Sequence, residues 1–114
     1  MDNIKDDAHY VRKSLEELTL LVKYGASIKT PDDLTASESL TDSIMFRLIQ
    51  LAEHIKGLSA NFKEKYPMIP WGDIIGFRNG LVHEYGKTDY TVVFEILRDD
   101  IPELKEFFEK ALLS

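Results

Sequence analysis

The sequence predicts an all-α protein, an up-down bundle of four to five helices, on the basis of three observations. Apolar residues recur at intervals of three and four over several long stretches, which is the spacing of one helix face. No stretch shows the alternation of polar and apolar residues that is typical of a half-buried strand. The 114 residues suffice for one hydrophobic core, so residues 1–114 are predicted to form a single domain.

The first two helices are predicted from their apolar spacing and the turn residues between them. Residues 4–24 keep a helical pattern that no Pro or Gly interrupts before Gly25. Residues 25–36, GASIKTPDDLTA, have turn composition and are predicted to form a loop across one end of the bundle. The second helix is expected to begin near Ser37 or Ser39. Its apolar stripe consists of Ile44, Leu48, Leu51, Ile55 and Leu58.

Two prolines separate the middle helices. Ser59 is predicted to cap a short helix that extends through Phe62. After Pro67 and Pro70, a third major helix is predicted from about Trp71 to His83 or Glu84, with Trp71 as a hydrophobic anchor at its start.

The last helical stretch follows a glycine and contains a proline. Gly86 is predicted as the C-cap of the third major helix. The chain then becomes helical again between Asp89 and Thr91 and continues to Leu113. Pro102 lacks a backbone N–H, so it is predicted to bend or divide this helix, with Asp100 or Ile101 at the junction.

Composition and charge exclude several classes of protein. The chain has no Cys, so disulfides and thiolate metal sites are excluded. It has no signal-peptide pattern and no stretch long enough to span a membrane, so we expect a cytoplasmic protein that makes no membrane contact. The net charge of −6 disfavours general nucleic-acid binding. Residues 47–87 nevertheless carry six Lys or Arg against four Asp or Glu, a local balance of +2.

The segment FRNGLVHEYG, residues 77–86, combines residues that either grip a phosphate or form a buried network. Arg78 falls within the apolar stripe of its helix, one turn from Ile74 and one turn from Val82. An unpaired buried guanidinium is unfavourable. Arg78 must therefore contact an internal acid such as Glu53, an anionic ligand, or the hydrated edge of an interface.

Three glycines on the same helix form a second unusual feature. Gly72, Gly76 and Gly80 are spaced by four, and each lowers helix stability by about 1 kcal/mol relative to Ala. A bare backbone stripe permits close approach of another helix, either from the same chain or from a second subunit. His83 extends this stripe. The second possibility makes Gly76 and Gly80 dimer-interface residues.

The string IPWGDIIGFRNGLVHEYGKTDY, with LRDDIPELKEF further on, resembles the HepT-like branch of the HEPN superfamily. The resemblance runs from about Thr41 to Leu112. Its signature is Arg, four residues, His, one residue and Tyr. The resemblance implies a HEPN-like, all-helical homodimer and a metal-independent ribonuclease that acts as the toxin of a toxin–antitoxin pair. In this sequence the signature residues are Arg78 and His83, which are the predicted catalytic residues. The residues themselves suggest two supporting side chains: Asn79, which follows the arginine and could orient His83 or contact the phosphate, and Glu53, the possible internal partner of Arg78.

The resemblance also implies a protein partner. This partner is a minimal nucleotidyltransferase antitoxin, which inactivates the toxin by transferring AMP from ATP to the motif tyrosine, here Tyr85. RNA is the implied substrate. The chain itself is expected to need no cofactor. No HExxH or carboxylate–His cluster appears in the sequence, so no metal site is predicted.

The chemistry of the motif is compatible with RNA cleavage. His83 is a suitable general base or acid, and Arg78 can hold a phosphate and stabilise charge on its oxygens. One His per chain cannot easily serve as both base and acid, whereas two subunits would supply two. Two alternatives stay open. One is a non-catalytic nucleotide- or substrate-binding partner of a nucleotidyltransferase, and the other is a structural helical adaptor.

Overall fold

A computed structural model describes residues 6–83 and 88–113, with the backbone alone for residues 81–83. These residues confirm the all-α class, because helices and short turns account for them and they contain no strand. None of their helices is both long and apolar enough to span a membrane. The elements are α1 (Asp7–Gly25), α2 (Pro31–Thr35), α3 (Glu38–Lys56), α4 (Ala60–Lys65), α5 (Trp71–His83), α6 (Tyr90–Glu95), a π-helical segment (Ile96–Asp100) and α7 (Ile101–Leu112).

Two predictions for the first third of the chain need correction. Helix α1 begins at Asp7 rather than at residue 4, because the Asp6 carboxylate accepts a hydrogen bond from the His9 N–H at 2.9 Å and caps the helix. The predicted loop over residues 25–36 contains the short helix α2. A capping box starts α2, in which the side chains of Thr30 and Asp33 each accept a hydrogen bond from the other's backbone N–H.

The middle of the chain follows the prediction closely. Ser37 caps α3, and the five apolar residues of its predicted stripe are buried. Ser59 caps α4 by accepting from the Phe62 N–H, and this helix continues past Phe62 to Lys65. The Asp7 carboxylate accepts two hydrogen bonds from Ser59, at 2.8 Å from its N–H and 2.7 Å from its hydroxyl. These bonds join the start of α1 to the α3–α4 junction.

Pro102 divides the last helical stretch, as predicted. The residues just before it form the π-helical segment, in which the Ile101 N–H donates to the Ile96 carbonyl five residues back. Because Pro102 has no N–H to donate, the helical ladder loses a bond at this point, and the wider turn accommodates the gap. The last helical stretch starts at Tyr90, and Asp89 is its N-cap.

The core lies between α1, α3 and α7. Helix α1 packs against both α3 and α7, and α5 packs against α3. The largest fully buried side chain is that of Phe108 on α7. Leu18, Ile44, Ile55 and Ile101 belong to the same cluster of buried residues. Helix α3 therefore connects the core to α5.

Trp71 anchors the start of α5, as predicted. Its indole N–H lies 3.1 Å from the carbonyl oxygens of both Lys63 and Tyr66. Its ring makes edge contacts with Phe107 and Phe108, at centroid distances of 6.1 and 6.5 Å. Aromatic contact and hydrogen bonding together fix where α5 begins.

Gly57 allows a close contact that a larger residue would break. A Cβ added to Gly57 would stand 2.6 Å from the ring carbon Cζ of Tyr10, which packs against the core. We expect Gly57→Ala to lower the free energy of unfolding by about 1–3 kcal/mol, measured by urea denaturation.

Gly25 supplies the matched control. A Cβ there meets no described atom within 4 Å, and no described glycine has a positive φ. Gly25→Ala should raise the free energy of unfolding by about 0.4–1 kcal/mol. Equal effects at Gly57 and Gly25 would contradict the proposed contact with Tyr10.

Candidate functional site

Residues 77–83 of the motif segment lie on α5, and residues 84–86 lie outside the described residues. Through Gly80, no residue of α5 is fully buried. Ile74 and Phe77 are half-buried and pack against the core, while Gly72 and Gly76 are exposed. One side of α5 therefore faces α3, and another side is open.

Arg78 lies where α5 approaches α3. Its Nη2 makes an ion pair with Glu53 Oε1 on α3, and its Nη1 donates to Asn79 Oδ1 at 3.1 Å. Its Nε is buried and has no hydrogen-bond partner among the described atoms. The predicted site residues Arg78, Asn79 and Glu53 are thus brought together.

Of the three surroundings that the sequence allowed for Arg78, the structure shows an internal acid. The pair is not sealed, however. The Arg78 side chain is 24% exposed and that of Glu53 is 38% exposed. About a quarter of the Arg78 side chain is therefore open to solvent in the folded bundle. Glu53 partly neutralises Arg78 and restricts its position, because a carboxylate partner orients a guanidinium fork.

Within the described part of the chain, nothing packs against the glycine stripe. A Cβ added at Gly72, Gly76 or Gly80 would meet nothing within 4 Å among the described atoms. Close packing against a neighbouring helix of the same chain, one of the two explanations offered by the sequence, is therefore wrong for the described residues. A contact with a second subunit stays a prediction.

The other two motif residues lie at or beyond the end of α5. The α5 backbone ends at His83. Positions 78 and 83 are about 140° apart around a helix axis with 3.6 residues per turn. Arg78 and His83 therefore occupy different faces of α5. Tyr85 and the predicted cap Gly86 lie outside the described residues.

This arrangement of Arg78, Asn79 and His83 on one helix is accompanied by a sequence match to a known family. The family model for HepT-like ribonucleases matches residues 14–111. The chain belongs to the HepT-like ribonuclease family. Its all-helical fold is consistent with this family.

Several relatives of this HepT-like chain carry ribonuclease names. It is 36% identical over 102 residues to a protein of Methanocaldococcus jannaschii named "Gamma-glutamylcyclotransferase and putative RNase", a match that covers 90% of this chain and 46% of that protein. The chain thus spans about half the length of that relative. It is 29% identical to a "Putative RNase" of Caldanaerobacter subterraneus, with 96% of each chain covered. It is also 29% identical to a "Probable ribonuclease HepT" of Thermococcus cleftensis, with 89% and 91% covered. No solved structure matches the chain.

Sequence reasoning missed one feature beside the motif of this HepT-like chain. A groove of about 720 Å³ lies between α5, the π-helical segment and α7. Its walls come from residues that are far apart in the sequence, so no local pattern could have revealed it. Among the described residues, no three His, Asp or Glu side chains are grouped to hold a metal ion. Metal independence stays a prediction.

Proposed function

We propose that this chain is a metal-independent endoribonuclease toxin, held in check by a minimal nucleotidyltransferase that adenylylates Tyr85. The family supports ribonuclease chemistry in general. The observation that carries the finer proposal is Arg78, a partly exposed arginine on the motif helix, whose one described carboxylate partner is Glu53 and whose buried Nε no described atom satisfies.

The proposed reaction uses the RNA itself as nucleophile. The ribose 2′-oxygen attacks the adjacent phosphorus, and the bond to the 5′-oxygen of the next nucleotide breaks. A histidine base takes the 2′-proton, and a histidine acid gives a proton to the departing 5′-oxygen. Arg78 stabilises the charge that develops on the phosphate oxygens. No metal ion is needed for these steps.

A dimer would bring the required groups together. Because Arg78 and His83 occupy different faces of one helix, a single chain does not readily aim both at one phosphate. Two chains related by a two-fold axis would supply two His83 and two Arg78 side chains to one cleft. The open glycine face of α5 supports such a contact, since bare backbone permits close approach there.

His83→Ala should abolish RNA cleavage in the presence of a metal chelator. We expect the purified wild-type chain to cleave single-stranded RNA in EDTA and the variant to be slower by about 10²–10⁴-fold, because it lacks the proton-transfer group. His9→Ala, which removes a histidine of α1, is the matched control and should cleave at the wild-type rate. Cleavage that requires added metal, or equal rates for all three proteins, would refute the nuclease proposal.

The proposed control acts two residues beyond His83. AMP on Tyr85 would place a bulky anion beside the cleft and repel the RNA phosphate. Incubation with the partner nucleotidyltransferase and ATP should add the mass of AMP to the wild-type chain and to Tyr90→Phe, but not to Tyr85→Phe. Intact-mass spectrometry checks this. An adduct that persists in Tyr85→Phe would exclude Tyr85 as the modified residue.

The Arg78–Glu53 pair favours a second candidate function. A guanidinium that is already paired with a carboxylate binds phosphate less strongly, and the net charge of −6 repels RNA. In this alternative the chain is a non-catalytic, nucleotide- or substrate-binding partner of the nucleotidyltransferase. It would bind a mononucleotide with Arg78 but leave RNA intact, which equilibrium dialysis and the cleavage assay together distinguish.

A further inference from the structure

The groove beside α5 has an apolar floor and an acidic rim. Its floor combines residues from the segment before α5, from α5 itself, from the π-helical segment and from α7. They are Met68, Ile69, Pro70, Ile74, Phe77, Ile96, Leu104 and Phe107. Met68 stands at the groove with 70% of its surface exposed. Apolar surface left open in this way marks a place where another molecule binds.

Among the described residues, the charged side chains that line the groove are all carboxylates. Asp73 lies on the α5 side, whereas Asp100 and Glu103 lie on the opposite side. All three are exposed, and none makes an ion pair with a described residue. The neighbouring cation Arg98 is already bound to Asp99, at 2.7 and 2.8 Å. The rim therefore carries three uncompensated negative charges on two sides of an apolar floor.

We propose that this groove docks an amphipathic helical segment of a partner protein, with an apolar stripe flanked by Lys or Arg. The apolar stripe would cover the floor, and the basic residues on its two sides would meet Asp73 and the Asp100–Glu103 edge. RNA does not fit, because its phosphates would face three carboxylates. A second copy of this chain fits poorly, because a symmetric contact would place the same three carboxylates opposite each other.

Docking here would act on the motif helix directly. Ile74 and Phe77 line the groove, and Phe77 immediately precedes Arg78. Helix α5 otherwise packs mainly against α3. The bound segment would thus support α5 on a second side. This inference goes beyond the proposed ribonuclease function and does not depend on it.

A single fluorescent label tests the proposal, because the chain has no Cys. Met68→Cys, at the exposed edge of the groove, is labelled and titrated with an 18-residue synthetic helix of Leu and Lys. We expect saturable binding that a Leu and Glu helix of the same pattern does not show. A Ser and Lys helix of the same charge should bind at least about tenfold more weakly, because it lacks the apolar stripe.

Charge reversal with a matched control locates the contact. Asp73→Lys with Glu103→Lys, in the labelled chain, should weaken binding of the Leu and Lys helix by at least about tenfold. Asp32→Lys with Glu64→Lys makes the same change in net charge on exposed residues outside the groove, and should change the affinity by less than about twofold. Circular dichroism verifies that both variants are folded.

Three outcomes would overturn the proposal. Equal weakening by the two charge reversals would show attraction to the whole protein rather than to the groove. Equal binding of the Ser and Lys helix would remove the role of the apolar floor. A label signal that depends on protein concentration without any helix, and that disappears in Asp73→Lys with Glu103→Lys, would show that a second copy occupies the groove.

Discussion

Arg78→Ala is expected to lower the rate of RNA cleavage by about 10²–10³-fold, because removal of one group that stabilises transition-state charge has effects of this size. The measurement is initial cleavage rate at saturating RNA, in EDTA. In the same variant, the free energy of unfolding should fall by only about 1 kcal/mol, since the Arg78–Glu53 pair is partly exposed and screened by solvent. The loss of activity would then greatly exceed any loss of folded protein.

Glu53→Gln separates a catalytic Arg78 from a structural one. This substitution keeps the shape of the side chain but removes the charge that competes with phosphate for the guanidinium. If Arg78 binds the RNA phosphate, we expect Glu53→Gln to remain active and to have a lower KM, because the guanidinium is freed for the substrate. Arg78→Lys should be much less active than wild type, because a lysine lacks the planar fork.

A different set of results is expected if the Arg78–Glu53 pair only stabilises the fold. In that case, Arg78→Ala and Glu53→Gln would lower the free energy of unfolding by similar amounts and would leave the activity of the folded fraction unchanged. Parallel measurement of urea denaturation and cleavage rate therefore decides the role of Arg78. That result would exclude Arg78 from the catalytic machinery, without bearing on the groove between α5 and α7.

The sequence predicted most of the helices because the features that define a helix, such as apolar spacing and capping residues, lie within a few residues of one another. The spacing of apolar residues predicts the buried stripe of α3. The need for a partner at free backbone N–H groups predicts the Ser37 and Ser59 caps, and the missing N–H of Pro102 predicts the division there. Helix α2 was missed because five residues are too few for a periodic pattern. It forms through the Thr30–Asp33 capping box and the complete burial of Leu34.

The sequence limited the possible neighbours of Arg78 to a few kinds but did not determine which kind is present. The position of Arg78 in an apolar stripe required a charged or wet neighbour, and three kinds satisfied that requirement. Which kind is present depends on how α5 crosses α3, and this tertiary geometry leaves no local pattern. The glycine stripe was equally ambiguous until the structure showed that no described atom lies within 4 Å of a Cβ added at Gly72, Gly76 or Gly80.

Phe108→Ala is expected to be the most destabilising single substitution considered for this fold. Phe108 has no exposed surface and touches both Trp71 and Phe107, at centroid distances of 6.5 and 5.1 Å. Its truncation removes apolar burial and leaves a cavity that the surrounding helices cannot fully close. We expect a loss of about 3–5 kcal/mol in the free energy of unfolding, measured by urea denaturation.

A loss of this size would remove a large part of the stability of a single domain, which is typically about 5–15 kcal/mol. Leu113→Ala is the control, because Leu113 is 88% exposed and its truncation should change the free energy of unfolding by less than about 0.5 kcal/mol. Phe108 also supports Trp71, which fixes the start of α5. Compared with Phe108→Ala, the larger side chain in Phe108→Leu should therefore restore part of the stability and, in parallel, part of the near-ultraviolet signal of Trp71. Recovery of stability without recovery of that signal would show that the core and the start of α5 are not coupled through Phe108.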